Sequence, residues 1–438
     1  MKKMAKLGYL LYGTGASKYS WTHPDAQPNA AIDPEFYKRQ ARLAEDAKFD
    51  MMFLADRPYA GKESTFHYLS RLEAITALSA LASLTTHIGL VATVPTSFTE
   101  PYTLARQIAS LDHLSAGRAG WNLVTTRIEG VAQNYNRDSH VPHAERYEIA
   151  EEFLDVVKGL WDSWEDDAFL FDKASKRFFD ESKMHTLNHV GKYFKVKGPL
   201  NIARSPQGAP IVFEAGDSDA AINLAAKGAD AMFTATPSLP AARALYQRVK
   251  QEAVAYGRSK GDILIMPSIV PVVAKTRQEA EEKYQMLVEL ACIEDAIAQL
   301  SIWFDSFDFS RHDLDGKFPN VEGFGKSEFL HITEGLKKMA REENLTLRQV
   351  AQRSITPKSV FFGSAEEVAD TVQQWLEEDA ADGFILGHRA PNELKDFIEL
   401  VVPILQDRGL FRREYEGTTL RENLGLRFPK NRFAAGKE

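Results

Sequence analysis

The stretch VATVPTSFTEPYTLARQIASLDHLSAGRAGWNLVTTRIEGVAQNYNRDSHVPHAERY, from Val91 to Tyr147, decides the fold. Its apolar runs and amphipathic segments predict strand, loop, helix, strand, loop and helix in succession. Polar residues come where the apolar strands end: Thr93 after the first, Asn122 after the second, and His143 with Tyr147 at the head of the last helix. Because polar residues at strand ends are typical of the active face of a barrel, the stretch predicts one sector of a parallel β/α barrel.

The rest of the chain repeats this alternation. Eight apolar strands, each followed by a helical pattern, predict an α/β protein with a closed (β/α)8 TIM barrel rather than an open sheet. The predicted strands are 7–12, 51–55, 88–91, 119–124, 211–215, 231–234, 263–273 and 383–386. The predicted helices are 33–48, 71–84, 101–114, 143–164, 219–227, 239–256, 277–289 and 392–407.

Two insertions interrupt the predicted barrel, after its fourth and seventh strands. Residues 165–208 are rich in Phe, Lys and Asp and include a predicted hairpin near 190–199, and residues 291–360 are rich in aromatic side chains. Long connections of this kind are typical of functional lids, so we expect both insertions to cover the active site. The polar tail 412–438 is expected on the surface of this single domain, 1–438, or against a neighbouring subunit.

Composition and charge exclude several classes of protein. The 438 residues carry a net charge of −8 with both signs mixed, whereas nucleic-acid-binding proteins present a basic surface. The single cysteine, Cys292, rules out an intrachain disulfide and a thiolate zinc site and agrees with a reducing cytoplasm. No apolar run in the sequence reaches the ~18 residues of a membrane span, and a first strand explains Leu7 to Tyr12 better than a signal peptide does. A cytoplasmic protein with a small-molecule partner is expected.

Three motifs fail the requirements of the sites that they resemble. GTGASK at 13–18 lacks the third glycine of a dinucleotide fingerprint, and GFGKS at 323–327 lacks the upstream glycine of a P-loop because Asn320 stands there. His185 and His189 have i, i+4 spacing without an intervening glutamate or a third ligand, so no metal site is expected.

EAGDSDA, Glu214 to Ala220, is the strongest candidate for a phosphate-binding turn, since it lies where the fifth strand turns into a helix. Gly216 permits a ligand to approach the backbone closely. Ser218 either caps the helix or offers its hydroxyl to a phosphate held at the positive end of the helix. The sequence alone leaves both roles of Ser218 open.

The Val91–Tyr147 stretch, with LSAGRAGWNLVT and HAERYEIAEEF as its most specific parts, resembles the flavin-dependent monooxygenases of the bacterial luciferase-like superfamily. The similarity runs from LGYLLYG to TLRENLGL and is greatest to the branch that oxidises aminopolycarboxylate chelators, sulfones, long alkanes and cysteine thioethers. This resemblance implies FMN, used as FMNH2, with O2 as co-substrate. It also implies a separate NAD(P)H:flavin reductase as partner and a homodimer or homotetramer.

The resemblance also implies roles for individual residues. The turn Gly216, Asp217 and Ser218 resembles the family's QAGSS, which holds the FMN phosphate, but Glu214, Asp217 and Ala221 depart from it. An aspartate facing a phosphate is repulsive, so we expect Ser218 to bind it rather than Asp217, and FMN to be retained less tightly.

The resemblance implies that Asp56 approaches the flavin ring and that Thr93 and Asn122 contact its polar edge. His143 and Tyr147 lie one helical turn apart and would reach the same ligand. The alternatives are a helix cap or a salt bridge with Arg57 for Asp56, and an ordinary amphipathic helix start for His143 and Tyr147.

The remaining candidates concern substrate and catalysis. Trp21 and His23 follow the first strand and His312 lies in the second insertion, so they are candidates to reach the site from above, with the two histidines as catalytic candidates. The basic side chains near the mouth are candidates to hold substrate carboxylates through charge-assisted hydrogen bonds. These basic residues are Arg57, Arg127 and Lys326. For all six residues, solvation in a surface loop is the alternative.

Three functional classes follow: a two-component monooxygenase, a deazaflavin-dependent oxidoreductase of the same superfamily, and a noncatalytic flavin-binding or unrelated barrel protein. The branch-specific insertion and HAERY favour monooxygenation over the use of deazaflavin. An acidic thioether is expected as substrate ahead of an aminopolycarboxylate, and a long alkane comes third because Arg57 and Arg127 make the entrance polar.

Overall fold

The structure, a computed structural model, describes residues 3–62, 64–325 and 330–434 and contains a closed barrel of eight parallel strands. The strands are β1 Lys6–Leu10, β2 Met51–Leu54, β3 Gly89–Pro95, β4 Ala119–Val124, β5 Ile211–Ala215, β6 Ala231–Thr234, β7 Leu264–Ile269 and β8 Gly383–Leu386. Strand β1 pairs with β8 through Lys6 and Gly383, which closes the ring. The predicted TIM barrel and its eight strands are confirmed.

The strands read as continuous apolar runs because both of their faces are buried. Side chains alternate along each strand. Phe53, Val91 and Phe213 point into the barrel interior, whereas Leu90 and Val212 pack against the surrounding helices. The barrel interior is therefore filled, and the space for a ligand lies at an end of the barrel.

Helices surround the barrel in the predicted order, and further helices lie in the second insertion and near the carboxyl terminus. They are α1 Pro34–Asp46, α2 Ala74–Ala82, α3 Pro101–Leu114, α4 His143–Trp161, α5 Asp219–Gly228, α6 Leu239–Ala255, α7 Arg277–Glu289, α8 Ile293–Trp303, α9 Leu330–Glu342, α10 Leu347–Ile355, α11 Ala365–Glu377, α12 Glu393–Asp396, α13 Val402–Asp407 and α14 Leu420–Leu424. In the described part of the chain, no helix has the length and apolar character needed to cross a membrane.

The structure corrects the sequence prediction around β7 and β8. The predicted strand 263–273 is two strands, because Pro271 lacks the N–H that would continue the ladder. The second piece, Val272–Ala274, pairs with Phe362–Ser364 outside the barrel. Helix α11 was not predicted, although Ser364 and Glu367 form the capping box at its start.

The first insertion, 165–208, forms two hairpins. The predicted one is present as His189–Val190 paired with Lys195–Val196, and Phe169–Asp172 pairs with Arg177–Phe179 in one that was not predicted. The second insertion carries α8, α9 and α10 on a core of its own that includes Phe304.

The segment after Arg412 was predicted to lie on the surface, and part of it is buried instead. Leu420 and Leu424 of α14 are 0% and 2% exposed and pack against the barrel-interior side chains. The guanidinium of Arg412 donates to the buried carboxylate of Asp50, next to the start of β2. The tail therefore closes the amino-terminal end of the barrel, because an open end would leave apolar interior side chains in water.

Candidate functional site

A cavity of about 630 Å³ lies at the carboxyl ends of the strands, where parallel barrels carry their sites. Residues that follow β1, β2, β4, β5 and β6 line it together with the first turns of α4. Its volume is in the range of small-molecule and cofactor sites. In the described part of the chain, neither insertion contributes a lining residue, so their role as lids stays a prediction.

The floor of the cavity is aromatic. Phe53 and Phe233 line it with their rings stacked at 5.6 Å between centroids, and Phe213 packs edge-on against Phe53 at 5.2 Å. Buried aromatic rings exclude water from the base of the site.

Asn122 reaches this cavity and Thr93 holds it in place. The two residues are register partners on β4 and β3, and Asn122 Nδ2 donates to Thr93 Oγ1 at 2.9 Å. Both residues are 4% exposed, and Asn122 Oδ1 has no hydrogen-bond partner among the described residues. A buried unpartnered amide oxygen costs free energy, so the cavity offers an acceptor for a ligand N–H.

Asp56 lines the cavity beside this pair but already has local partners. Its carboxylate accepts from the N–H of Arg57 at 2.7 Å and from the N–H of Ala74, the first residue of α2, at 3.2 Å. Burial raises the pKa of this carboxyl, although Arg71 opposes the shift. Asp56 thus shapes the loop after β2, and a ligand contact would come in addition.

The turn after β5 approaches the same cavity. Gly216, Asp217 and Ser218 line it, and Ser218 Oγ accepts from the N–H of Ala221 at 3.2 Å as the N-cap of α5. A Cβ atom added at Gly216 would lie 2.7 Å from Ala221 Cβ, so a larger residue does not fit there. The capping role of Ser218 is therefore present, and its hydroxyl also forms a hydrogen bond with the side chain of Tyr147.

Helix α4 brings three polar side chains to this turn. The rings of His143 and Tyr147 lie 5.0 Å apart between centroids, and Arg146 between them donates to the carbonyl oxygen of Thr126. The Cβ position of Gly216 is 3.6 Å from Tyr147 Oη. Burial raises the pKa of Tyr147, so its hydroxyl remains a donor at neutral pH.

Two further cations lie at the cavity. The guanidinium carbon of Arg57 is 4.1 Å from the ring centroid of Tyr68, and Arg57 Nε has no hydrogen-bond partner within the described ranges. Arg127 is exposed at the rim. Guanidinium groups with free N–H donors bind carboxylates in bidentate geometry.

The structure does not bring the other predicted residues to the cavity. Trp21 is 42% exposed and packs against Phe66 beside a separate surface pocket. His23 Nδ1 accepts from the N–H of Asp25 in another surface pocket. His312 stacks on Phe307 in the second insertion.

The geometry therefore gives no support to catalytic roles for His23 and His312, because neither residue lines the cavity. Lys326 lies outside the described residues.

Sequence reasoning missed several lining residues. Arg146 lies three residues after His143, so helical spacing would have found it. Tyr12 lies just past the end of β1, where the strand-end rule applies. Tyr68 belongs to the long loop after β2, and no local signal points to it.

His185 and His189, the pair with metal-like spacing, each donate a ring N–H to a glutamate carboxylate. His185 Nε2 lies 2.9 Å from Glu165 Oε1, and His189 Nε2 lies 2.9 Å from Glu152 Oε1. The two rings therefore form separate hydrogen bonds, one to Glu165 in the first insertion and one to Glu152 on α4.

Three comparisons relate this barrel to known proteins. A model of the family described as "Luciferase-like monooxygenase" matches residues 18–383. The N-acetyl-S-(2-succino)cysteine monooxygenase of Bacillus subtilis (strain 168) is 44% identical over 436 residues, 99% of each chain. Nitrilotriacetate monooxygenase component A of Aminobacter aminovorans is 42% identical over 450 residues, 99% of this chain and 98% of its own.

A solved structure of riboflavin lyase (RcaE), with modified FMN and riboflavin, is 32% identical, has a TM-score of 0.81 and covers 99% of each chain. The family match and the full-length identities agree with the closed barrel and with a cavity at its carboxyl end. The chain is therefore a member of the luciferase-like monooxygenase family and an oxidoreductase.

Proposed function

We propose that the protein is an FMNH2- and O2-dependent monooxygenase that oxidises a small acidic organosulfur compound of the cysteine-thioether type. Reduced flavin reaches it from a separate NAD(P)H:flavin reductase. The observation that carries the proposal is one cavity in which an unpartnered amide oxygen, a glycine turn at a helix start and several guanidinium groups meet above an aromatic floor.

The polar groups and the aromatic floor of the cavity fit a flavin that carries a phosphate. Asn122 Oδ1 is an acceptor for a ring N–H, and the aromatic floor suits a flat apolar ligand. The open backbone at Gly216, the hydroxyls of Ser218 and Tyr147 and the positive end of α5 suit a phosphate. When bound, FMNH2 supplies the reaction with oxygen, while these residues orient it and exclude water.

The guanidinium groups at the cavity favour a substrate that carries carboxylates. Arg57 and Arg127 lie at the cavity on loops that follow β2 and β4, and Arg127 makes no ion pair in the part of the chain that the structure describes. The two similar proteins are named for N-acetyl-S-(2-succino)cysteine and nitrilotriacetate, so each acts on a carboxylate-bearing compound. The identity of 44% to the first favours a thioether.

The deciding experiment supplies the protein with reductase, FMN, NADH and oxygen and offers a carboxylated thioether, an aminopolycarboxylate or a long alkane. We expect a product carrying one added oxygen atom, or its cleavage fragments, from the thioether. Turnover of the alkane alone would contradict the acidic substrate. Binding of reduced deazaflavin in place of FMNH2 under anaerobic conditions would contradict the monooxygenase.

Arg127→Ala is expected to lower kcat/KM for the carboxylated thioether about tenfold, because a charge-assisted hydrogen bond is worth about 1.5 to 3 kcal/mol and Arg127 is exposed. Steady-state kinetics measure the change. Arg413→Ala, which removes an exposed arginine near the opposite end of the barrel, is the matched control and should leave kcat/KM unchanged. An equal kcat/KM in wild type and Arg127→Ala would remove Arg127 from the substrate site.

Ser218→Ala is expected to raise the FMN dissociation constant about tenfold or more, because it removes a hydroxyl donor to an anion worth about 1.5 to 3 kcal/mol. Fluorescence quenching measures the constant. Asp217→Ser should leave binding unchanged or tighten it, since it removes an exposed negative charge beside the turn.

Ser218→Ala also removes the N-cap of α5, and a control variant separates the loss of stability from the loss of FMN binding. Thr276 caps α7 with the same geometry, its Oγ1 accepting from Glu279 N at 3.2 Å, away from the cavity. Thr276→Ala should lose about 1 kcal/mol of stability, as Ser218→Ala does, without weakening FMN binding. Tighter FMN binding by Ser218→Ala would overturn the assignment.

A further inference from the structure

Glu214 is a buried acid immediately behind the proposed phosphate turn. It is the fourth residue of β5 and is 2% exposed. Its neighbours Phe213 and Ala215 face the barrel interior and the cavity, so strand alternation turns the Glu214 side chain to the opposite face, between the sheet and the helices. Glu214 Oε1 lies 3.5 Å from the position that a Cβ would take at Gly216.

In the described part of the chain, no cation pairs with the Glu214 carboxyl. Glu214 takes part in no ion pair within the described ranges, and its Oε2 atom has no hydrogen-bond partner there. Its register neighbours, Leu123 on β4 and Met232 on β6, carry no charge. Thr234, the next outward side chain on β6, is also buried with its hydroxyl unpartnered.

The titratable groups that face Glu214 are Asp217 on its own turn and Tyr147 on α4. Arg146, on the same helix, donates instead to the carbonyl of Thr126. On α5, Asp219 pairs outward with Arg248. Among the described residues, the groups that face Glu214 are therefore a second acid and a phenol, and neither of them is a cation.

An ionised carboxylate in such a place would be a buried charge without a counter-ion, which proteins avoid by protonating the group. Burial first, and then the nearby Asp217, raise the pKa of Glu214 well above its ordinary value. A protonated carboxyl has one O–H donor and a carbonyl acceptor, much as the glutamine of the family's QAGSS has an amide donor and an acceptor.

We propose that Glu214 is a cofactor-retention residue: uncharged, it supports the Gly216–Ser218 turn, and ionised, it expels a phosphate-bearing ligand from that turn. This inference rests on the proposed flavin site. Ionisation would add a poorly screened negative charge directly behind Gly216, where it repels a phosphate dianion. FMN affinity should therefore fall as the pH rises through the ionisation of Glu214.

The test measures dissociation constants of FMN and riboflavin for the full-length protein by fluorescence quenching, from about pH 6 to about pH 9. For wild type we expect FMN binding to weaken about tenfold or more across this range. Riboflavin carries no phosphate, so its binding should change little. Glu214→Gln keeps the shape and cannot ionise, so FMN binding by this variant should stay tight.

Two variants sharpen the test. Asp217→Asn removes the neighbouring negative charge and should move the transition of wild type to lower pH. Glu393→Gln is the matched control, because Glu393 is also a buried acid whose pKa burial raises and whose Oε1 lacks a partner, but it lies on α12 outside the cavity. FMN binding by the Glu393→Gln variant should show the same pH dependence as binding by wild type.

Thermal unfolding without flavin gives a second readout. A carboxyl whose folded-state pKa is raised contributes stability that is full below the unfolded-state pKa and is lost as the pH rises through the folded-state pKa. Glu214→Gln should lack this loss, so its melting temperature relative to that of wild type should rise from about pH 4, near the unfolded-state pKa of a glutamate, to the alkaline end of the range.

The outcomes separate the inference from the proposed function. Failure of wild type to bind FMN at every pH would refute the flavin site itself. FMN binding with the same pH dependence in wild type and Glu214→Gln would refute the role of Glu214 and leave the flavin site standing. A pH dependence of riboflavin binding equal to that of FMN would also refute it, since the phosphate would then play no part.

Discussion

Mixed with FMN, NADH and oxygen, the purified protein is expected to leave NADH unoxidised, and turnover should begin only when a flavin reductase is added. A dinucleotide site needs a glycine-rich turn that leads directly into an α-helix. GTGASK does follow β1, but it leads into a loop and a short 3-10 helix at Ser20–Thr22, and α1 begins only at Pro34. Without the reductase we expect no substrate turnover. With it, we expect turnover at the rate at which the reductase supplies reduced flavin.

The control for this prediction supplies flavin reduced without any enzyme, which should replace the reductase and NADH together. Oxygen uptake and product formation are followed with and without substrate. Rapid NADH oxidation by the protein and FMN alone would show a nucleotide site that the barrel does not reveal. The name of the similar nitrilotriacetate monooxygenase component A agrees with a division of labour between chains.

Arg118→Ala is expected to lower the free energy of unfolding by about 3 to 5 kcal/mol, the loss typical of breaking a buried charged network. Arg118 is 2% exposed and lies in the LSAGRAGWNLVT motif. Its guanidinium donates to the carbonyl oxygens of Ala82, Thr85, Ile88 and Ser115 and to Thr85 Oγ1, at 2.6 to 3.0 Å. It thereby ties the ends of α2 and α3 to the start of β3.

Urea unfolding measures this loss, and flavin binding by the folded variant should be unchanged because Arg118 lies at the opposite end of the strands from the cavity. Arg118→Lys should recover only part of the stability, since an ammonium cannot reach five acceptors in a fork. Arg413→Ala, an exposed arginine, should cost less than about 0.5 kcal/mol. A loss below about 1 kcal/mol for Arg118→Ala would contradict the structural role.

This result would show that part of the motif LSAGRAGWNLVT serves the stability of the barrel and not the binding of a ligand. Arg118 of this motif and the nearby Asp112 organise the amino-terminal end of the barrel. The carboxylate of Asp112 accepts from the N–H of Ala119 and from the side chains of Ser205 and Gln207. Asn122, a few residues later, reaches the ligand end. One strand therefore connects a structural end with a functional end, as is usual in barrels of this kind.

The sequence by itself determined the barrel and the residues that end its strands. Apolar runs of strand length alternate with amphipathic helices, and this local signal needs no tertiary information. Because parallel strands end at the same edge, Asn122, Gly216 and Asp56 could be expected together, and they line one cavity. Helical spacing likewise predicted that His143 and Tyr147 share a face.

Only the tertiary structure decided where the long connections lie and which ionisable groups have their pKa shifted by burial. His23 and His312 lie on loops whose positions depend on contacts distant in the sequence, and neither residue lines the cavity. Leu420 reads as part of a polar tail, yet it fills the barrel end because an apolar side chain gains most where it leaves water. Glu214 reads as an ordinary acid in the sequence, but its pKa is raised, first by its burial, and tertiary packing decides that burial.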